Sequence, residues 1–485
     1  MTISATLSNA LSGLNVAARG AETVSQNVAN ALTPGYGRRE IEVSARVVGT
    51  AGQGAQVTGI RRLADMVAIG DRRLAEALLA DRSLRATALK RIEDAIGTPE
   101  AGASISARIA DLERTLIEAT SRPEAEARLS SAVDAARGLA SALNAASRAV
   151  QDVRMDADAA IAASVERINS GLARIAELNG QIRSAIGAGH DASALMDQRQ
   201  VEIDRLAADL PLREIDRGMG QVALYTAGGA ALLDGVLPAR FDFVPAGVIT
   251  PDMTLASGAL SGLMLNGRPA PMGEGSLLAG GALAAAFALR DTVAPSIQAD
   301  LDALARDLAE RFETLVPDAT RGPGDPGLFT DAGGAVLAAN ETGLAGRLRV
   351  AAAVDPVQGG AAWRLRDGLG AAAPGPAGET RLLSGLAAAL TAARAPASGS
   401  FAAGARGLSE LAAEVASSVA ARRLSADAEA GFAGARAQAM RQVELEGGVD
   451  TDRELQDLMA VERAYGANAR VIKAVDEMIQ LILGI

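Results

Sequence analysis

Apolar residues recur at alternating spacings of four and three near both ends of the chain. Near the N-terminus the repeat runs through Leu7, Leu11, Leu14, Ala18, Ala21, Ser25 and Val28. Near the C-terminus it runs through Val461, Tyr465, Asn468, Ile472, Val475, Ile479 and Ile482. An average spacing of 3.5 residues is typical of a coiled-coil seam. A matched pair favours two terminal helices that pack together, antiparallel, over two unrelated amphipathic helices on a globular core.

Between these ends the pattern predicts mostly helix as far as about Leu210. One long helix is indicated by an apolar stripe through Ile161, Val165, Ile168, Leu172, Ile175, Leu178, Ile182 and Ile186. Gly187 and Gly189 end this helix, since glycine commonly closes helices. A second helix is predicted over residues 192–209 and is closed by Pro211.

The pattern changes after Leu212. Short strands are predicted over residues 221–226 and 240–244, separated by Gly-Gly and Asp-Gly turns. Helix returns over 276–316, and again over 379–446 with a break around 395–400. Residues 318–375 are rich in glycine and proline and predict an irregular, β-containing segment.

The resulting fold class is mainly α: a long-helix bundle with terminal coiled-coil helices and a smaller β-containing outer region. We predict a terminal-helix core from residues 1–60 and 447–485. A helical body is assigned to 61–210, 276–316 and 379–446, and the outer region to 211–275 and 317–378.

Composition narrows the classes of function. Aromatic residues make up only 2% of the chain and hydrophobic residues 49%, which suits close helix packing. The net charge of −11 argues against a general nucleic-acid binder, because such proteins need a concentrated basic face. The absence of cysteine excludes disulfides, thiolate metal sites and cysteine nucleophiles. The chain carries neither a cleavable signal pattern at its N-terminus nor an apolar stretch long enough for a membrane span, so we expect no membrane insertion.

Candidate chemistry is sparse. His190 is the only histidine, and it lies between Gly189 and Asp191 in a predicted loop, where a histidine is typically exposed to solvent or caps a helix. The glycine motif at 322–327 matches a nucleotide-loop spacing but contains two prolines and precedes no helix. The acidic residues around it lack the glutamate that an EF-hand loop needs, since Phe329 stands there. We therefore predict no catalytic residue, no cofactor, no metal and no enzyme activity.

A twelve-residue segment from Ser25 to Tyr36, SQNVANALTPGY, closely resembles the N-terminal signature of the flagellar axial proteins, which include rod, hook and hook-associated subunits. Its physical logic is clear from the residues. Asn27 and Asn30 fall one helical turn apart, where their amides can bond backbone or a packed partner. Pro34 cannot continue the helix, Gly35 supplies the sharp exit, and Tyr36 can anchor the turn.

The C-terminal segments 448–450, 464–472 and 477–478, together with Leu455, are similar to the end of hook-associated members of this family. Two internal stretches, residues 165–182 and 195–199, also resemble them. The asparagine, glutamine and serine typical of the family are largely replaced here by alanine and arginine. The region between Leu212 and Gly375 is short for the outer domain of longer relatives.

The resemblance implies a structural subunit that joins hook to filament and permits flagellin to polymerise. Its implied partners are copies of itself in a helical ring, the hook protein below, the next junction protein above, and an export chaperone on the C-terminal helix. Export by the flagellar type III apparatus is implied as well. The seam and signature residues, including Asn27, Val28, Asn30, Pro34, Gly35 and Tyr36, would form the interface between subunits. Alternatives are another axial protein, such as the third hook-associated protein or a hook subunit, and an unrelated enzyme or binding module.

Overall fold

A computed structural model describes residues 3–48, 51–98, 102–273 and 275–484. Helices dominate these residues, which confirms the mainly α prediction. The helices are α1 (Ile3–Asn30), α2 (Met66–Ile96), α3 (Ile105–Ser121), α4 (Glu126–Gly187), α5 (Ser193–Asp209), α6 (Gly281–Ala288), α7 (Ala294–Thr314), α8 (Leu344–Arg347), α9 (Arg364–Asp367), α10 (Arg381–Thr391), α11 (Leu408–Glu446) and α12 (Thr451–Leu483). A π-helical turn, Leu289–Val293, joins α6 to α7, and short 3₁₀ turns occur at Ala338–Asn340 and Pro356–Gln358.

The strands form small antiparallel sheets. They are β1 (Arg38–Val48), β2 (Ala51–Leu63), β3 (Leu212–Gly218), β4 (Gln221–Thr226), β5 (Ala231–Asp234), β6 (Leu237–Pro238), β7 (Phe241–Asp242), β8 (Leu263–Leu265), β9 (Arg268–Ala270), β10 (Phe329–Asp331) and β11 (Leu348–Val350). β1 pairs with β2, β3 to β6 form a meander, β7 to β9 form a three-stranded sheet, and β10 pairs with β11.

The helical body is built around α4, which is 62 residues long. Its apolar stripe contacts α2, α3, α5, α6 and α7. The predicted stripe is confirmed from Ile161 to Ile182, all of whose members are buried, whereas Ile186 is half-buried. The helix ends at Gly187, as the glycine pattern predicts. The core is therefore a layer of leucine, isoleucine, valine and alanine between helices, in keeping with the scarcity of aromatic residues.

The predicted helix over 276–316 is wrong at its start, whereas residues 281–314 are helical throughout, with one π-helical turn in the middle. α6 begins only at Gly281, because Gly280 before it adopts a φ of +94°, outside the helical region. The π-helical turn follows α6, and within it Arg290 is fully buried and binds Asp158 of α4 at 2.7 Å.

The break predicted at 395–400 is wider than expected and extends from α10 to α11. Strand β4 is confirmed with the predicted bounds, while the strand predicted at 240–244 shortens to β7.

The prediction of helix within residues 1–60 is wrong after α1. β1 and β2 form a long hairpin there, with Arg38 opposite Leu63 and Ile41 opposite Ile60. The physical reason is visible in β1, where Glu40, Ile41, Glu42 and Val43 alternate between charged and β-branched residues, a pattern that suits a strand. The hairpin packs against α1.

Candidate functional site

The terminal helices α1 and α12 pack together and run antiparallel. If a Cβ were added to Gly13, it would lie 2.7 Å from the side-chain amide of Asn468, and one on Gly20 would lie 3.3 Å from a methyl of Val461. Asn27 bonds Glu454 in the same pairing. Each step of seven residues along α1 thus matches a step of seven backwards along α12, as a heptad register requires. The glycines let the two backbones approach closely, and a larger residue at Gly13 would force Asn468 to move.

The seam predicted for α1 is wrong by one position. The residues that α1 buries are small or polar: Ala10, Ala17, Gly20, Thr23, Val24 and Asn27. The predicted seam residues lie beside this stripe, and Leu11, Ala18, Ser25 and Val28 are exposed, with Leu7, Leu14 and Ala21 half-buried. This row of mostly small residues packs against α12 because it permits a closer approach of the two helices than a row of leucines would. The larger apolar residues are left on the flank of the helix.

The seam predicted for α12 agrees better with the structure. Val475 is buried, and Val461, Asn468, Ile472 and Ile479 are half-buried. Tyr465 and Ile482 do not share this environment, since they are 48% and 70% exposed. The role of all these residues between subunits stays a prediction.

Asn27 is the centre of a buried hydrogen-bond node. Its side chain is 1% exposed, and Nδ2 donates to the carbonyl of Arg39 at 2.8 Å and to Oε2 of Glu454 at 3.0 Å. Its Oδ1 accepts from the Tyr36 hydroxyl and from the Arg39 amide, both at 2.9 Å. Glu454 is equally buried, and its Oε1 accepts from Nε of Arg38 at 2.6 Å. One amide therefore ties the end of α1 to the hairpin, to the signature turn and to α12.

The signature turn follows directly after α1. Asn30 has a local role, because its Nδ2 donates to the carbonyl of Gln26 at 2.9 Å, and Pro34 is exposed. Gly35 has φ +78°, and a Cβ there would lie 2.5 Å from a methyl of Val201 on α5. Tyr36 packs under the guanidinium of Arg39, whose Cζ lies 5.0 Å from the ring centroid. Partial burial raises the pKa of Tyr36, so its hydroxyl stays a donor to Asn27.

A second node joins this turn to the helical body. Asp197 of α5 accepts from the Gly37 amide at 3.0 Å, from Nε of Arg62 at 2.7 Å and from Nη2 of Arg39 at 2.9 Å. Arg62 also donates to the carbonyl of Gly35 at 3.1 Å and to the side chain of Gln200. Asp197 thereby binds both strands of the hairpin and the turn at once.

Sequence reasoning missed the roles of Asp197, Glu454, Arg39 and Arg62. Asp197 stands in the internal stretch 195–199 that resembles the family, so the resemblance marked the segment without revealing its contact. The other three carry no local signal, because their partners are distant in sequence. We name the pair α1–α12 with the β1–β2 hairpin the axial unit, and the contacts of Asp197 the α5 joint.

The two candidates for chemistry that the sequence offers lie in loops between different elements. His190 is exposed between α4 and α5, and the glycine motif at 322–327 lies in turns between α7 and β10. Within the described ranges, no three histidine, aspartate or glutamate side chains cluster so as to hold a metal ion. Over the same ranges, none of the helices is long and apolar enough to cross a membrane.

Comparison with known proteins identifies two segments. The family described as flagellar hook-associated protein FlgK helical domain matches residues 89–328. The family described as flagellar basal body rod FlgEFG protein C-terminal matches residues 446–485, which contain α12. The first match contains all of α4 together with α3, α5, α6 and α7, and the second contains α12, whose Glu454 bonds Asn27.

Individual relatives carry consistent names. Flagellar hook-associated protein 1 of Escherichia coli (strain K12) is 25% identical over 250 residues, which are 50% of this chain and 45% of that protein. Its namesake in Salmonella typhimurium (strain LT2) is 26% identical with the same coverage, and that of Bacillus subtilis (strain 168) is 24% identical over 225 residues, 44% of each chain. The chain thus matches a little under half the length of these relatives.

Among solved structures, the flagellar hook junction protein FlgK from Burkholderia pseudomallei aligns with a TM-score of 0.45 and 22% identity. The alignment covers 54% of this chain and 46% of that one. Over the two matched segments and in the relatives from three species, the chain is similar to the flagellar hook-associated protein FlgK.

Proposed function

We propose that the chain is a structural subunit of the bacterial flagellum that joins the hook to the filament and permits flagellin to polymerise. The observation that carries the proposal is the Asn27 node. Through this node the N-terminal signature is hydrogen-bonded to Glu454, which lies in the segment matched by the rod-protein C-terminal family. Two regions from opposite ends of the chain, each similar to axial proteins, thus form one unit.

The surface of α1 also supports an assembled role. Only Arg19 and Glu22 are charged among its 28 residues, whereas a solvated helix usually carries many more charges. Its exposed apolar residues include Leu11, which is 49% exposed. A surface of this kind is typical of an interface. We therefore assign the predicted seam residues of α1, together with the exposed Tyr465 and Ile482 of the α12 seam, to contacts with other axial subunits.

The proposed neighbours are copies of this chain in a helical ring, hook protein on one side and the next junction protein on the other. We also propose export through the flagellar type III apparatus, with a chaperone that binds the C-terminal helix before assembly. The exposed apolar residues of α12, such as Met478 and Leu481, support the binding of a chaperone, since they would otherwise be in contact with water. The proposed role is mechanical and requires no catalytic group.

Deletion of the gene in the source bacterium tests the proposal. We expect electron microscopy to show hooks without filaments, and the culture medium to contain unpolymerised flagellin. Absence of hooks as well would indicate a hook subunit instead. Normal filaments, with no duplicate gene, would contradict the proposal.

Complementation then tests the axial surface. Leu11→Asp in the deletion strain is expected to leave the filaments absent, because a charge would be buried against a neighbouring subunit. Val357→Asp is the matched control, since Val357 is likewise an exposed apolar residue but lies within residues 317–378, which we propose face outward. That variant is expected to restore filaments.

A further inference from the structure

Two short linkers connect the axial unit to the helical body. Ala64 and Asp65 lie between β2 and α2, and residues 447–450 lie between α11 and α12. The linkers run side by side, because a Cβ added to Gly447 would lie 3.9 Å from the Cβ of Asp65. Asp65 caps α2 and Asp450 caps α12, so regular helix begins directly after each of these residues. The neighbouring linkers therefore define one axis about which the axial unit can turn.

The parts of the chain on either side of this axis are tied together by buried or half-buried ionic contacts. In the body, Arg72 of α2 binds Glu444 near the end of α11 and Asp204 of α5, the latter at 2.8 Å. In the axial unit, Asn27 and Glu454 bond each other and the hairpin. Backbone freedom is thus concentrated in the two linkers between these bonded ends.

The α5 joint holds the axial unit to the body away from the linkers, and most of its contacts are polar. Asp197 accepts hydrogen bonds from Arg39, from Arg62 and from a backbone amide of the signature turn. Val201 adds one apolar contact beside Gly35. Small and polar interfaces between units of one chain permit relative motion, whereas large apolar ones prevent it. A few ionic hydrogen bonds therefore fix the orientation of the axial unit.

The joint also differs in burial from the contacts within the axial unit. The side chain of Asp197 is 16% exposed and that of Arg39 is 14% exposed, so both reach water. Asn27 and Glu454 are each only 1% exposed. Salt screens ion pairs that reach water much more than buried ones. Salt should therefore weaken the α5 joint before it weakens the Asn27 node.

We infer that the α5 joint is a salt-sensitive latch: when its ion pairs open, α1, α12 and the hairpin turn together about the two linkers. The axial unit moves as one body, because the Asn27 node still ties α1, the hairpin and α12 to one another. The closed latch keeps the hairpin and the signature turn on α5, and the open latch leaves the orientation to the linkers. The motion belongs to the single chain, so the inference stands or falls independently of the proposed function.

Distances between spin labels test the inference directly, because the chain has no cysteine of its own. Exposed residues would be replaced by cysteine in pairs and labelled in the purified full chain. Thr58→Cys on the hairpin with Ser184→Cys on α4 spans the joint, and Thr58→Cys with Lys473→Cys on α12 lies within the axial unit. Ser184→Cys with Thr87→Cys on α2 reports on the body. Pulsed electron paramagnetic resonance gives the distance distribution of each pair.

Salt and one substitution open the joint in separate ways. The distributions would be recorded at about 0.01 M and at about 1 M salt, between which the Debye length falls from about 30 Å to about 3 Å. Asp197→Ala removes the shared acceptor at low salt. Asp331→Ala is the matched control, because Asp331 likewise binds an arginine, Arg347, through both carboxylate oxygens but lies in the outer region.

We expect the pair across the joint to give a narrow distribution at low salt, which becomes at least about twofold wider at high salt and in Asp197→Ala. The pairs within the axial unit and within the body should stay narrow, and Asp331→Ala should leave all three unchanged at low salt. A distribution across the joint that stays narrow at high salt or in Asp197→Ala would overturn the inference. Equal broadening within the axial unit would overturn it as well, because the unit would then unfold instead of turning.

Discussion

Asn27 and Glu454 meet in a buried hydrogen bond of 3.0 Å although 427 residues separate them in sequence. The amide of Asn27 uses both its donor and its acceptor, because Tyr36 and the Arg39 backbone complete the node. Arg38 balances the charge of Glu454. The axial unit is therefore closed by polar contacts at the end where α1 leaves it, while small apolar residues pack along its length.

Asn27→Ala is expected to weaken the packing of α1 against α12 and the hairpin. The substitution leaves the Arg39 backbone and one oxygen of Glu454 without a partner in a buried place, which costs about 2–4 kcal/mol. Hydrogen exchange measured by mass spectrometry should show faster exchange in α12 and in the hairpin, with α4 unchanged. Asn30→Ala is the matched control, because Asn30 bonds only local groups in the same turn. Equal effects of the two variants would contradict the assigned role of Asn27.

Asp197→Asn tests the α5 joint. Asparagine keeps the size of the side chain but removes the charge that Arg39 and Arg62 share, so we expect a loss of about 1–3 kcal/mol in the attachment of the hairpin to α5. Limited proteolysis should then cut faster between β2 and α2. Gln198→Ala, at the exposed neighbouring position, should leave the cleavage rate unchanged. An unchanged rate for Asp197→Asn would show that the joint is held by other contacts.

Gly35→Ala examines the turn itself. Alanine is strained at φ +78°, and its Cβ would clash with Val201, so we expect a loss of about 1–3 kcal/mol. The double variant with Val201→Ala removes the clash but keeps the backbone strain. It should therefore recover only part of the loss, as measured by hydrogen exchange of the turn in a double-mutant cycle. Full recovery would mean that the glycine is needed for space alone.

Much of the fold follows from local pattern. The stripe from Ile161 to Ile182 predicts α4 because a long helix repeats its apolar face many times, and the glycines at its end mark where it stops. The seam of α12 is predicted for the same reason. β4 is recognisable because glycine-containing turns bound a short run with Val222, Tyr225 and Thr226, which are residue types that favour strands.

The face of α1 and the α5 joint could not be predicted in this way. α1 carries two adjacent rows with the same spacing, and apolarity favours the row of Leu7, Leu11 and Leu14. Close approach to Asn468 instead selects the row with Gly13, and that preference depends on the partner. The contacts of Asp197 with Arg39 and Arg62 join residues more than 130 positions apart, so they leave no periodic signal.

The helical body contains a carboxyl group that makes its stability depend on pH. Asp302 of α7 is buried, and its carboxylate accepts from the backbone amides of Gly343 and Ala345 at 2.7 and 2.8 Å and from Gln298 at 2.9 Å. Burial outweighs these hydrogen bonds and raises the pKa of Asp302 to about 6, from 3.8. Between those two values the folded chain holds a proton that the unfolded chain has released.

The direction of the pH dependence follows from this difference between the folded and unfolded pKa of Asp302. A group with a raised pKa in the folded state contributes stability below its unfolded pKa, and loses that stability as the pH rises through the folded value. The contribution of Asp302 should therefore fall by about 2 kcal/mol between pH 4 and pH 7. Asp302→Asn removes the titration, so the difference in unfolding free energy between the original chain and the variant should shrink over that range. Urea unfolding followed by circular dichroism at several pH values measures it, and a difference that is constant with pH would show that Asp302 stays ionised in the folded body.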